Sequence, residues 1–259
     1  MWIVVEISAL LIALALFFIA LEIGFRLGVR RQAKSDEPDK THANALHGAT
    51  LGLLALLLGF TFAMAVSRYE TRKTYMVDQA NAIGTVALRA KLLPSPGSEK
   101  AYALTREYVD SRLQYNAAGT DNAALASAEL RASDLENQLW DVARAELTQD
   151  PRSQPASLYT QALNDMFDLR EKRRFALDDQ VPFAVVFLLF AVSFTSLALV
   201  SYSCGLHGRR RPLANITFAF LIALVLVIIL DIDRPRHGFV QVSQDSLLRL
   251  QQSLTPAAP

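Results

Sequence analysis

Four long apolar runs constrain this chain more than any other feature. Trp2 to Phe25 is apolar except for Glu6, Ser8 and Glu22; Ala49 to Val66 is broken only by Thr50 and Thr61; Val181 to Tyr202 and Leu213 to Leu230 carry no charge. At about 1.5 Å of helical rise per residue, each run can cross a hydrocarbon core of roughly 30 Å. The first run lacks the basic start, short apolar core and small-residue cleavage site of a secretory leader, so it reads as a span. Lipid offers no partner to backbone N–H and C=O groups, which leaves the helix as the solution for each run. The expected fold is therefore an all-α integral membrane protein: four transmembrane helices with a helical bundle domain inserted between spans 2 and 3.

The expected division places a first transmembrane pair in residues 1–66, with spans near 2–25 and 49–66, and a helical extramembrane domain in 67–180. A second transmembrane hairpin fills 181–230, with spans near 181–202 and 213–230, and 231–259 forms a C-terminal tail with a short amphipathic helix, about Gln244 to Leu254, capped by Ser243. The connection from Arg26 to His47 is polar and reads as a solvated linker. Between Ser67 and Leu93 there is no proline and only Gly84, while Met76, Ala80, Ile83, Ala87 and Ala90 recur at helical spacing, so the second span is expected to continue as one long helix. Pro94-Ser95-Pro96-Gly97 ends it. Ser98, Asp121 and Ser157 are the expected N-caps of the three helices that follow. In the middle one Leu125, Ala128, Ala132, Leu135, Leu139 and Val142 repeat at alternating three- and four-residue steps, the seam of helix packing.

Several functional classes are poorly supported. A net charge of +1 and the lack of a basic stripe argue against nucleic acid, and the one cysteine, Cys204, has no intramolecular partner. Phosphate loops, hydrolase elbows and paired metal ligands are missing, and His42, His47, His207 and His237 are scattered, so the reading is not an enzyme and no cofactor or metal is implied. Glu6 and Glu22 are titratable groups in a span; each lies near a boundary, where snorkelling to headgroup water is the plain reading and an interhelical contact the other.

The long second helix says more. Phe60, Met64, Ser67, Thr71, Thr74, Asp78, Asn81 and Thr85 follow one another at three- and four-residue steps, so one stripe passes from apolar side chains into hydroxyl, carboxyl and amide groups. That is the form of a pore-lining helix with a hydrophobic constriction and a wet vestibule; a merely solvated helix face is the rival account. After the last span, Asp231, Asp233 and Arg234 form an acidic turn that reads as a structural ion-pair cluster rather than a Ca²⁺ site, which would need six or more oxygens.

The run Gly59-Phe60-Thr61-Phe62-Ala63-Met64-Ala65-Val66-Ser67-Arg68-Tyr69-Glu70-Thr71-Arg72-Lys73, the segment Asp78-Gln79-Ala80-Asn81-Ala82-Ile83-Gly84-Thr85 and the turn Leu230-Asp231-Ile232-Asp233-Arg234-Pro235 resemble a bacterial bestrophin-like membrane family, over essentially the whole chain. More distantly they resemble the bestrophins proper, pentameric chloride channels with a four-span plan. Arg236 and His237 stand where bestrophins place Phe and Gly after the proline, and the acidic run that clasps calcium is absent. The resemblance implies a homo-oligomer, a pentamer by analogy, in the inner (plasma) membrane lipid bilayer. It further implies conduction of a small anion, with Phe60 and Met64 near the constriction. It also implies a cytosolic helical domain. Lysines and arginines nearly balance across the two sides, and with none before the first span they tip the helical domain outward. The alternative function is a non-conducting scaffold or sensor that binds a partner through the 125 to 142 seam of its helical domain.

Overall fold

The computed structural model describes residues 2–236 and 238–255, the side chains of 2–6 excepted. Its described residues form eight helices and no strand. The described residues divide into two compact units: one holds 2–67, 180–234 and 238–240, and the other holds 68–179, 235–236 and 241–255. By length and composition, four apolar stretches suffice to cross a membrane, within Ile7–Gln32, Glu37–Ala90, Gln154–Leu206 and Pro212–Asp233.

The first unit contains α1 (Trp2–Gln32), the first part of α2 (Glu37–Ala90), α6 (Phe183–Leu206) and α7 (Pro212–Asp233). Helix α1 packs chiefly on α6. Glycine makes that approach possible: a Cβ added at Gly24 would stand 2.0 Å from the Ala198 carbonyl oxygen, one at Gly28 2.2 Å from that of Tyr202, and one at Gly205 2.5 Å from that of Phe25. In lipid, where apolar burial drives little association, close backbone contact through small residues is what holds helices together. Phe17, Ala20, Leu197, Ala223 and Leu226 fill the space between the helices.

The second unit contains the rest of α2 with α3 (Gly97–Ala117), α4 (Asn122–Gln149), α5 (Gln154–Asp178) and α8 (Asp245–Leu254). Met76, Ile83, Tyr108, Leu135, Leu139, Leu163, Met166 and Leu247 form its core. Ala128, Ala132, Leu135, Leu139 and Val142 of the seam are buried inside the unit. Polar side chains enter the core in pairs. The Tyr108 hydroxyl donates to Glu136 at 2.8 Å, Arg170 meets the same carboxylate at 2.6 Å, and Arg112 pairs with Glu129 at 3.0 Å. Burial, with the charge of Glu136 adding to it, pushes the Tyr108 phenol above its ordinary range, so it remains a donor at neutral pH. Helix α8 lays Leu247 and Leu254 inward, accepts from Tyr102 at the Leu254 carbonyl (3.2 Å), and donates from Gln251 to Asp110 (2.6 Å).

The connection expected from Arg26 to His47 is largely helical, with only residues 33–36 between α1 and α2. Polarity misled there: Arg30 and Arg31 suit the negative end of α1, and Asp36 accepts from the Asp39 N–H (3.0 Å) to start α2. Three caps also differ: α8 starts at Asp245 behind Gln244, and Ser243, one residue earlier than a cap, accepts from the Asp245 N–H at 3.1 Å. Helix α3 begins at Gly97 behind Pro96, without a side-chain cap, so Ser98 lies inside it. Helix α5 is capped by Ser153, which accepts from Ala156 N–H at 3.3 Å, and Ser157 sits a turn in; Pro155 occupies the first turn, where its missing N–H costs nothing. Asp121 caps α4 as expected, accepting from the Ala123 and Ala124 amides.

Gly24→Ala and Gly28→Ala should each destabilise the protein by roughly 1–3 kcal/mol through overpacking, read as a lower thermal unfolding midpoint in detergent. Gly48→Ala, where an added Cβ meets nothing within 4 Å, should leave the midpoint unchanged or raise it. Tyr108→Phe removes one donor from a buried carboxylate and should cost about 1–3 kcal/mol, read in the same assay.

Candidate functional site

The stripe on α2 lies on the side of the helix that the rest of the chain leaves open. Phe60 is 65% and Met64 38% exposed; Ser67, Thr71, Thr74, Asn81 and Thr85 are exposed and Asp78 is half-buried. One step round the helix Thr61, Ala65, Arg72, Met76, Gln79, Ala80 and Ile83 are buried. The helical period thus sorts α2 into a packed face and an open one along its length. The open face is apolar and aromatic at Phe60 and Met64 and becomes polar from Ser67 onward.

Its polar end borders a groove of about 420 Å³ in the helical unit. Asp78, Asn81 and Thr85 of α2 form one wall, and Asp165, Asp168 and Lys172 of α5 form another. The α5 residues were not singled out from the sequence. Their spacing of three and four puts them on one helical face, a signal that was present, but nothing local tells that this face stands beside α2. The groove therefore carries three carboxylates against one ammonium.

The acidic turn has a different character. Asp231 and Asp233 are each 5% exposed. Backbone amides take up the Asp231 carboxylate: Phe239 N–H donates at 2.8 Å and Val240 N–H at 3.1 Å. Gly238, at φ +106°, lets the chain wrap this carboxylate, since a Cβ there would lie 2.0 Å from Oδ1. Asp233 accepts from the Val181 N–H at 2.9 Å, just before α6 begins. The backbone N–H of Arg234, the residue that ends α7, donates to the Asp231 carbonyl at 3.3 Å. The turn ties α7 to the start of α6, and the described partners of the Asp231 carboxylate are backbone amides. Among the described residues no three metal-ligating side chains gather.

The other titratable positions are placed as follows. Glu22 is held between chain segments: it pairs with Arg26 one turn on, at 2.7 Å, and with Arg210 of the connection between α6 and α7, at a part of the surface where all three side chains are exposed. The side chain of Glu6, and His237, lie outside the described residues. Cys204 is a half-buried free thiol near the end of α6.

Comparison with known proteins agrees with this architecture. A family model described as the bestrophin-like domain matches residues 23–247. The crystal structure of a bacterial bestrophin homologue from Klebsiella pneumoniae, phased with zinc, is 14% identical, with a TM-score of 0.67 over 96% of this chain and 96% of that one. Two single-substitution variants of that homologue are similar. One is 14% identical, covering 98% of this chain and 96% of its own with a TM-score of 0.67; the other is 16% identical, covering 96% and 97% with a TM-score of 0.65. No curated protein matches the sequence. Identities this low speak for the fold, and the family model spans most of the chain: this membrane protein belongs to the bestrophin-like family.

Proposed function

We propose that the protein is a subunit of an ion channel in the bacterial inner membrane, in which copies assemble around α2. The observation that carries this reading is the open face of α2 from Phe60 to Asn81, apolar at one end and polar at the other. Polar groups on a helix that starts in lipid need water, and a ring of copies around a symmetry axis supplies a wet path for them. Phe60 and Met64 then form the constriction, and Ser67, Thr71, Thr74, Asp78 and Asn81 line the wider part. Four spans, with the helical domain between the second and third, complete the protomer. A pentamer conducting a small anion is what the family resemblance implies.

A second reading concerns the sign of the ion. Asp78, Asp165 and Asp168 against Lys172 make the groove beside the stripe acidic, and carboxylates repeated around an axis concentrate cations. The scaffold alternative is weakened, because the seam that was to bind its partner is filled within the helical unit.

Liposomes carrying purified protein under a salt gradient test both points. Protein-dependent current is expected, with conductance changed in Phe60→Ala and Met64→Ala while each variant keeps the wild-type oligomer; absence of current from the folded oligomer would return the scaffold or sensor. The reversal potential decides the ion. If cations are preferred, Asp165→Asn with Asp168→Asn should move it toward the anion potential, and an anion-selective wild type with no response to these substitutions would reject the acidic groove as a selectivity element.

A further inference from the structure

A second polar cavity, of about 1020 Å³, lies where α1 ends, α2 begins and α6 gives way to α7. Lys40, His207, Arg209 and Arg211 line it together with the Asn44 amide and the Ser203 hydroxyl, and no carboxylate is among its described lining residues. These residues lie just beyond the apolar runs of the first unit, at the level where a bilayer presents its headgroups.

The three consecutive arginines have different partners. Arg210 is used by the protein itself, paired with Glu22 and with its guanidinium 4.8 Å from the centre of the Phe25 ring. Arg209 and Arg211 flank it, line the cavity, and have no side-chain hydrogen bond or ion pair among the described residues. Of the neighbouring polar groups, the Asn44 amide is set as a donor. Ser203 donates to Asn44 Oδ1, which leaves the Asn44 amide N–H groups for another acceptor. His207 Nδ1 lies 2.8 Å from the Ser203 carbonyl, so it carries the proton and fixes the ring. Helix α7 starts directly after Arg211 with no side-chain cap, so its first free N–H groups add partial positive charge at this edge. Glu37 is the carboxylate beside the cavity: it pairs with Lys40 at 2.7 Å and also interacts electrostatically with His207, leaving Arg209 and Arg211 as the uncommitted cations.

Two uncommitted guanidinium groups, an amide donor and a helix start around a cavity without carboxylates match a tetrahedral oxyanion. We propose that this cavity binds a phosphate group of the kind carried by a phospholipid headgroup. Leu213 beside it is 79% and Leu27 48% exposed, apolar surface along which acyl chains can lie. The site is independent of whether the protein conducts ions.

The test uses the whole chain in micelles of a phosphate-free maltoside detergent, titrated separately with phosphatidylglycerol and with inorganic phosphate while the thermal unfolding midpoint is read. Phosphatidylglycerol should raise the midpoint by on the order of 5 °C at about a hundred times its half-saturating concentration. Arg209→Gln with Arg211→Gln should lose most of that rise while unfolding at the wild-type midpoint without added anion; the two single variants give the same readout should the double one fail to fold. Arg152→Gln, an exposed cation in the helical unit, should keep the full rise. A response to inorganic phosphate with the same dependence on Arg209 and Arg211 would identify a soluble phosphate compound as the ligand. No rise with either anion, an equal rise in the double variant, or an equal loss in Arg152→Gln would overturn the site.

Discussion

Helix α2 runs unbroken for 54 residues, and its side chains must answer to two environments along that length. Near Leu54 and Ala65 its packed face meets the apolar core of the first unit, and from Met76 to Ala90 it is buried in the helical unit. Within the first unit the phase of α2 is fixed by its packed face: once Ala65 faces inward, the 3.6-residue period decides that Phe60 and Met64 face outward. The open stripe follows from the packing of the other face.

The two units are stabilised by different means. The helical unit uses a conventional core of large side chains, with Tyr108, Glu136, Arg170, Arg112 and Glu129 satisfying one another inside it. The first unit relies on the absence of side chains at Gly24, Gly28 and Gly205, which lets backbone approach backbone. A protein in water gains from burying large groups; between helices already in an apolar medium, proximity is the main gain left.

Some of this was legible in the sequence for clear reasons. Apolar runs are readable because lipid imposes composition on every residue of a span, and α2 was readable through its lack of breakers between Ser67 and Leu93. The N-cap Asp121 was found because a carboxylate before a periodic run has few other uses. Ser98 and Ser157 look like caps only if the prolines before them lie outside the helices, whereas proline sits comfortably before or within a first helical turn. The polar segment from Arg26 to His47 was taken for a loop because charge was equated with irregularity, though α1 simply outlasts its apolar run. The stripe on α2 could be written from spacing alone. The α5 wall of the acidic groove could not, because it depends on which faces of two helices meet, and Gly24 and Gly28 looked like any small residues until Ala198 and Tyr202 were seen against them.

The brace between Asp233 and Val181 also bears on how such a chain is made. The Val181 N–H lies at the start of α6, and its acceptor is 52 residues further along, at the end of α7. During synthesis the third apolar helix therefore emerges with this amide still lacking its final partner, and a buried donor without an acceptor is costly. The start of α6 is secured only once α7 has been made and Asp233 has arrived, so the two helices mature as a pair.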